Sequence, residues 1–473
     1  MQRKSFTDFR GLLLSVGLAL VLLLVSVRWS ITYRENAFVD IDEASYMRMA
    51  IADYAALRSD GLLGWLIQVF RPGLQSPIVP AVTSLVFLVG GPGLHSALLI
   101  PLTAGAAVGV VAYLLSRAIG GRRSVALCVS ALVGTCPLLL IFSRDYHFSA
   151  PATLVPLGAL WGLSRSDRFR RLPYVLAFSI ALGLLPLTRT MTLGFVPGLL
   201  AGTLFYIFAD GNFAARKLRH LAIAGAVSLV VAMSWLLLSM RYVVPYLTNF
   251  GYGARARDYG PASSPFGLSS WAFTGRLILS QVYLPHAAVL IFLVAGAGAF
   301  LFVKLRSGRG RAILMHPGIP SALALFCGLA VLTATSNKGS AFVLPLIPVA
   351  LVLWGALVTG IPNGRRVIVT WGFMTSLLAF LPHIDEGMTI SRPWRVDLPI
   401  LGDTIVTSGR SYFASHYAAQ LNLDPIDTNT VAPGDRDRWR SLYLEIGEFL
   451  STYPGQAQPS LTGTFFSAQT NSH

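Results

Sequence analysis

Charge is what this chain has least of. Only 12% of its 473 residues are Asp, Glu, Lys or Arg, about half of the roughly one quarter usual in soluble domains. Acids are the scarcer sign, with Asp+Glu 21 against Lys+Arg 37 and a formal net charge of +16. Combined with 54% hydrophobic residues, this excludes a disordered chain and most cytoplasmic enzymes. Cysteine is sparse too, at three. Cys128 and Cys136, read as one helix, stand about 12 Å apart along its axis, beyond the reach of a disulfide. All three cysteines read as small core hydrophobes. No small-x-small cleavage site follows the apolar stretch from Gly11 to Val27, where Arg28, Trp29 and Tyr33 stand instead. That stretch is expected to be an uncleaved first transmembrane helix. Internal repeats and inverted symmetry of charged residues are also missing from the sequence.

What is present is a series of apolar runs approaching the ~20 residues that cross a hydrocarbon core. They lie near residues 11–28, 93–116, 124–142, 148–163, 172–188, 191–209, 221–240, 286–303, 317–334, 341–360 and 367–383. Two kinds of connection alternate between them. One kind is basic: Arg117, Arg122 and Arg123; Arg165, Arg168, Arg170 and Arg171; Arg216, Lys217 and Arg219; Lys304, Arg306, Arg309 and Arg311; Arg365 and Arg366. The other kind holds most acids and the long polar loops. With eleven crossings, the positive-inside rule puts the N-terminus in the cytoplasm and the C-terminus outside. The run from Ile78 to Val89 is only about a dozen residues, flanked by Pro77 and Gly90, and suits a re-entrant or interfacial helix on the outer face.

The expected fold is therefore an all-α polytopic membrane protein of the cytoplasmic (inner) membrane. Residues 1–384 form the transmembrane domain. Its first outer loop, 29–92, carries juxtamembrane helices; one covers Glu43 to Leu57, with Met47, Ala50, Ile51 and Tyr54 at helical spacing. A small extracytoplasmic domain, 385–454, includes a helix from Arg438 to Tyr453, and 455–473 reads as a loose tail. The cytoplasmic segments then hold the entire basic surplus, with Asp8, Asp167 and Asp210 as their acids. The surplus is an orientation signal and implies no nucleic-acid partner.

On this topology the informative polar residues meet at one membrane boundary. The first outer loop has three carboxylates within four residues, Asp40, Asp42 and Glu43, followed by Tyr46. The second holds Arg144, Asp145 and His147, the third Arg189, and a later one Lys338. Each has a bland reading: arginines at helix ends snorkel to headgroups, Asp42 and Glu43 suit a helix N-terminus, Lys338 sits in an Asn-Lys-Gly turn, and His147 serves as an interfacial hydrogen-bonder. Together they suit one reaction. A sugar on a lipid phosphate is attacked by an acceptor hydroxyl, a carboxylate takes the acceptor proton, and cations stabilise the departing phosphate.

The Asp-Glu pair with a following Tyr, then Arg71-Pro72 and Pro77, the Ser143-Arg144 loop, and Asn337-Lys338 leading into Leu344-Pro345-Leu346-Ile347-Pro348 resemble the GT-C glycosyltransferases. The similarity is to the family 39-like group of protein O-mannosyltransferases and the lipid A aminoarabinose transferase, and covers most of residues 35–360. It implies that Asp42 is the general base, with Glu43 supporting it or taking part in binding a divalent metal ion. It implies that Lys338, with Arg71, Arg144 or Arg189, holds the carrier phosphate, and that transfer inverts the anomeric centre. Asp40, Asp145, His147 and Tyr46 are further candidates for substrate or metal contact. The sequence departs from the group's pattern where Ser149 and Ala150 stand in place of its second acid, so that Asp145 or His147 would substitute. The implied partners are a lipid-linked sugar donor, membrane lipids, and an outer-face glycan, lipid or protein acceptor.

Two rivals fit less well. A transporter or flippase of lipid-linked sugars places ionisable residues near the midplane, with repeated halves. An O-antigen ligase or polymerase leans on a late outer loop rich in Arg and His, for which Arg241, Arg255, Arg257, Arg276 and His286 are available.

Overall fold

The computed structural model describes residues 9–34, 41–211, 214–253, 256, 267–281, 284–306, 315–337, 339–361, 364–381, 384, 394–398 and 402–406. Each apolar run became helix. In chain order these are α1 (Phe9–Arg34), α2 (Ile41–Val69), α3 (Ile78–Gly90), α4 (Leu94–Ala118), α5 (Arg123–Gly134), α6 (Pro137–Arg144), α7 (Ser149–Arg165) and α8 (Leu172–Thr188). A 3-10 turn, Thr190–Phe195, leads into α9 (Val196–Phe208) and α10 (Ala215–Gly251). Then come α11 (Leu268–Gln281), α12 (Leu284–Arg306), α13 (Ile319–Ala334), the single turn α14 (Ser340–Val343), α15 (Leu346–Thr359) and α16 (Arg365–Phe380). A two-stranded antiparallel ribbon, β1 (Trp394–Leu398) with β2 (Gly402–Val406), follows. The rest of the expected C-terminal domain, its helix from Arg438 to Tyr453 and the tail lie outside the described residues.

Among the described residues, four stretches, 9–32, 94–118, 190–208 and 215–251, are long and apolar enough to cross a membrane individually. The run at 124–142 is not one straight helix: α5 and α6 meet at a bend of 52°, the geometry of a broken span or a re-entrant loop. Pro137 opens α6 and has no N–H to continue the ladder from α5. Cys128 therefore lies in α5 and Cys136 in the break, as the residue capping the start of α6, both as buried free thiols. α3, at 13 residues, is about 20 Å long at roughly 1.5 Å per residue, too short for a ~30 Å hydrocarbon core.

The bundle is organised around α4, which packs on α1, α5 and α7, with Val108, Leu132, Leu139 and Trp354 in its sealed core. Small residues let backbones touch, as membrane bundles require. A Cβ on Gly162 would stand 2.9 Å from the backbone nitrogen of Phe178, and one on Gly202 2.9 Å from the Pro320 carbonyl oxygen. The outward faces are apolar: Leu14 and Leu24 of α1 and Val230 and Leu237 of α10 are all exposed. An apolar surface around an apolar core is what a lipid solvent selects, and this is a multi-pass membrane protein.

The juxtamembrane helix is longer than its sequence pattern indicated. α2 continues to Val69 through a break at Gly61, whose φ of 66° glycine tolerates. Its inward face includes Glu43, Tyr46, Ala50 and Asp53, with Tyr54 half-buried, whereas Ile51 is exposed. The inclusion of an acid, Asp53, on the buried face is what an apolar-spacing rule overlooks. Trp65 beyond the break donates to Ser84 Oγ of α3 at 2.8 Å, fastening the two outer helices together.

Candidate active site

Glu43, the last of the three clustered carboxylates, is fully buried. Both its oxygens stand 2.6 Å from Arg34 Nη2 at the end of α1. Its Oε1 also accepts the backbone N–H of Tyr146 at 2.6 Å. One carboxylate thus ties α1, α2 and the connection between α6 and α7. Arg34 Nη1 is 3.9 Å from Asp145 Oδ1, so Asp145 belongs to this buried network. The connection is fixed further by Tyr146, whose hydroxyl donates to Thr83 of α3 at 2.8 Å.

Asp42, the neighbouring residue, points elsewhere. Its side chain is 57% exposed, and its Oδ2 lies 4.0 Å from His147 Nε2. The protein packed around the recess raises its carboxyl above the ordinary 3.8, an increase opposed by the Arg189 guanidinium. Arg189 caps the end of α8, donates to Ser149 Oγ and lies over the Phe342 ring at 5.1 Å. Tyr46, one turn beyond Asp42, is buried and stacks on Phe148 with centroids 3.9 Å apart. The structure therefore brings Asp42, Glu43, Tyr46, Asp145, His147 and Arg189 together.

Arg144 and Arg71 are placed apart from that group. Arg144 is buried against α1, its guanidinium 4.5 Å from the Trp29 ring centroid and 3.4 Å from Ser26 Oγ. Arg71 is exposed and lines a pocket of about 510 Å³ with Arg48, Asp53, Gln68 and Gln75. Burial pushes the Asp53 carboxyl up to about 6, against a hydrogen bond from Gln68. The pocket begins at Arg48 and Met49, about 10 Å from Asp42 along α2 at roughly 1.5 Å per residue. Asp40 and Lys338 lie outside the described residues; of the neighbours of Lys338, Gly339 donates its N–H to Asn337 Oδ1 at 3.2 Å.

Sequence reasoning missed Arg34, Arg48 and Ser149. Arg34 had a signal: a basic residue nine positions before an acid in the sequence. Among the residues named for a ligase-type loop, His286 is buried in the bundle with Nε2 2.9 Å from the Leu132 carbonyl, and Arg255 and Arg257 lie outside the described residues.

Among the described residues, no three His, Cys, Asp or Glu side chains are gathered as metal ligands. Glu43 does not fit a divalent ion, because both its oxygens are already held by Arg34 and a metal would have to displace a buried guanidinium.

Neither a protein-family model nor a curated protein sequence matches this chain. Solved structures do. ArnT of Cupriavidus metallidurans in the apo state superposes with a TM-score of 0.53 at 18% identity, covering 76% of this chain and 61% of that one. The same protein bound to undecaprenyl phosphate gives 0.53 at 17%, covering 88% and 71%. A partial likeness, TM-score 0.41 at 15% identity, links 55% of this chain with 37% of the S. cerevisiae Pmt1-Pmt2 protein O-mannosyltransferase bound to its sugar donor. The chain thus spans 61% of the length of apo ArnT. It shares its fold with ArnT, the lipid A aminoarabinose transferase of the group its motifs resemble.

Proposed function

We propose that the protein is an inverting glycosyltransferase of the cytoplasmic membrane that moves a sugar from a polyprenyl-phosphate carrier to an outer-face acceptor. The acceptor is a lipid glycan, a cell-wall polymer or a protein. The observation carrying this reading is Asp42: a half-open carboxylate with a raised pKa, set beside a neighbour, Glu43, that is immobilised by Arg34. It stands on a fold shared with a protein solved with undecaprenyl phosphate. A base must be accessible and fixed in direction, and this pair divides those requirements between adjacent residues.

In the reaction, Asp42 removes the proton of the acceptor hydroxyl as that oxygen attacks the anomeric carbon. The bond from that carbon to the carrier phosphate breaks, and the phosphate leaves with the electron pair. Attack opposite the leaving group inverts the centre. Arg189 supplies positive charge beside Asp42, and Arg71 with Arg48 supplies it at the pocket under α2; Lys338 completes the set proposed for the phosphate. Arg144 would have to leave Trp29 to join them. No step requires a metal. On the eleven crossings expected from the sequence, with the N-terminus cytoplasmic and the C-terminus outside, this edge of the bundle would face outward.

The test is transfer by the purified protein in lipid vesicles, given a panel of labelled polyprenyl-phosphate sugars and an outer-membrane or cell-wall glycan extract. One donor should yield labelled glycan of inverted anomeric configuration together with free polyprenyl phosphate. Retained configuration, or movement of intact donor across the bilayer without cleavage, would refute the reading.

A further inference from the structure

The ring of His147 has its protons assigned by its neighbours. Nδ1 lies 3.2 Å from the backbone nitrogen of Ser149 and 2.7 Å from Ser149 Oγ. A backbone N–H only donates, so Nδ1 accepts there and carries no proton. Ser149 Oγ receives a hydrogen bond from Arg189, leaving its own proton for Nδ1. Turning the ring over would put carbon where both donors point. The ring is also held between aromatic neighbours, with centroids 5.1 Å from Phe142 and 5.7 Å from Tyr46. The ring proton therefore sits on Nε2, the nitrogen that faces Asp42 Oδ2 at 4.0 Å.

We propose that His147 is a positioning residue for the base: a neutral imidazole whose Nε2–H steers one oxygen of Asp42, with its tautomer set by Ser149 and Arg189. This role rests on the glycosyl-transfer reading. The 4.0 Å separation is longer than a hydrogen bond and closes when an acceptor excludes water from the recess, as catalytic contacts commonly do on substrate binding. With Nε2 protonated, His147 has no lone pair to offer a metal on the Asp42 side. An imidazolium would aim a second N–H at the Ser149 amide, so the neutral form is favoured. A neutral donor next to Asp42 stabilises the carboxylate without the repulsion a second acid would bring. The other ionisable groups brought to this recess are Arg189 beyond α8, Tyr46 on α2 and Tyr246 on α10, the tyrosines lying close to Arg189, with Glu43 and Asp145 held behind it by Arg34.

The tautomer can be read without substrate. In vesicle-reconstituted protein labelled with ¹⁵N-histidine, the His147 signal, assigned among the eight histidines as the one lost on substitution, should show a protonated Nε2 and an unprotonated Nδ1 at neutral pH. That signal should vanish in His147→Gln. A proton on Nδ1, or an imidazolium at neutral pH, overturns the proposal. In transfer assays, His147→Gln, whose amide N–H reaches the same direction, should keep activity within about tenfold, while His147→Leu lowers kcat about 100-fold with donor KM unchanged. His147→Leu should also move the acid limb of the kcat profile up by about one pH unit, because ionised Asp42 has lost a donor. A His147→Leu protein with wild-type kcat and acid limb overturns the positioning role alone. A wild-type protein that transfers from no donor overturns the glycosyl-transfer reading and this role with it, while the NMR result still reports the tautomer.

Discussion

Beside the start of α8, Asp210 is held by Lys217 at 2.8 Å, Arg170 at 3.4 Å and Arg168 at 3.6 Å. Beyond the other end of the same helix, Asp42 is half-open and its closest ion-pair contact is a histidine nitrogen at 4.0 Å. The first cluster is saturated, and it secures a strained turn. Asp167, Arg168 and Phe169 have φ of 51°, 55° and 65°, a left-handed conformation that costs roughly 1–2 kcal/mol for each non-glycine residue. Hydrogen bonds from Arg168 to the Met315 carbonyl and between His220 Nδ1 and the Phe169 carbonyl help to hold it. The second cluster is divided: Glu43 is fully engaged and Asp42 is left available. The contrast separates acids used to hold the fold from an acid positioned to react.

Substitutions can break or sharpen this contrast, and the largest stability effect belongs to Glu43. Glu43→Ala leaves Arg34 buried without its carboxylate, a loss of about 3–5 kcal/mol, measurable as a lowered midpoint of thermal unfolding in detergent. An unchanged midpoint would remove Glu43 from the structural side. Asp53 gives a pH test of the region beside Asp42. Its folded pKa of about 6 exceeds the ordinary 3.8, so the folded state binds more protons than the unfolded one between those values. Stability should therefore fall as pH rises through that window. Asp53→Asn should raise the midpoint near pH 7.5 and change it little near pH 4; equal shifts at both would contradict the raised pKa. Arg170→Ala should matter least. Its side chain is 47% exposed, and an ion pair of that kind contributes about 0–1 kcal/mol. A change in midpoint larger than that would show that the Asp210 cluster depends on all three of its cations.

The helices were legible because lipid-facing segments advertise themselves through long apolar runs, and basic connections add a sign to each end. Breaks inside runs were harder to read. Pro137 marks the α5–α6 bend, yet the apolar composition continues across it, and the break at Gly61 lies within a continuing helix. The site was legible in its residue types but not in their division of labour. Asp42 and Glu43 are adjacent and chemically alike, and only the position of Arg34 distinguishes the anchored acid from the open one. Ser149 stood in the sequence as the place of a missing acid; folded, its amide and hydroxyl determine the proton on His147. Such pairings depend on contacts between α1, α2 and the start of α7, which no local spacing encodes.

The most direct test of the account is the transfer rate of Asp42→Asn in the same vesicles and with the same donor as the wild type. Asparagine keeps the size and polarity of the side chain but cannot take a proton. The account predicts a fall in kcat of at least about 100-fold, with the thermal midpoint and donor binding unchanged. An Asp42→Asn protein that transfers sugar at the wild-type rate would contradict it.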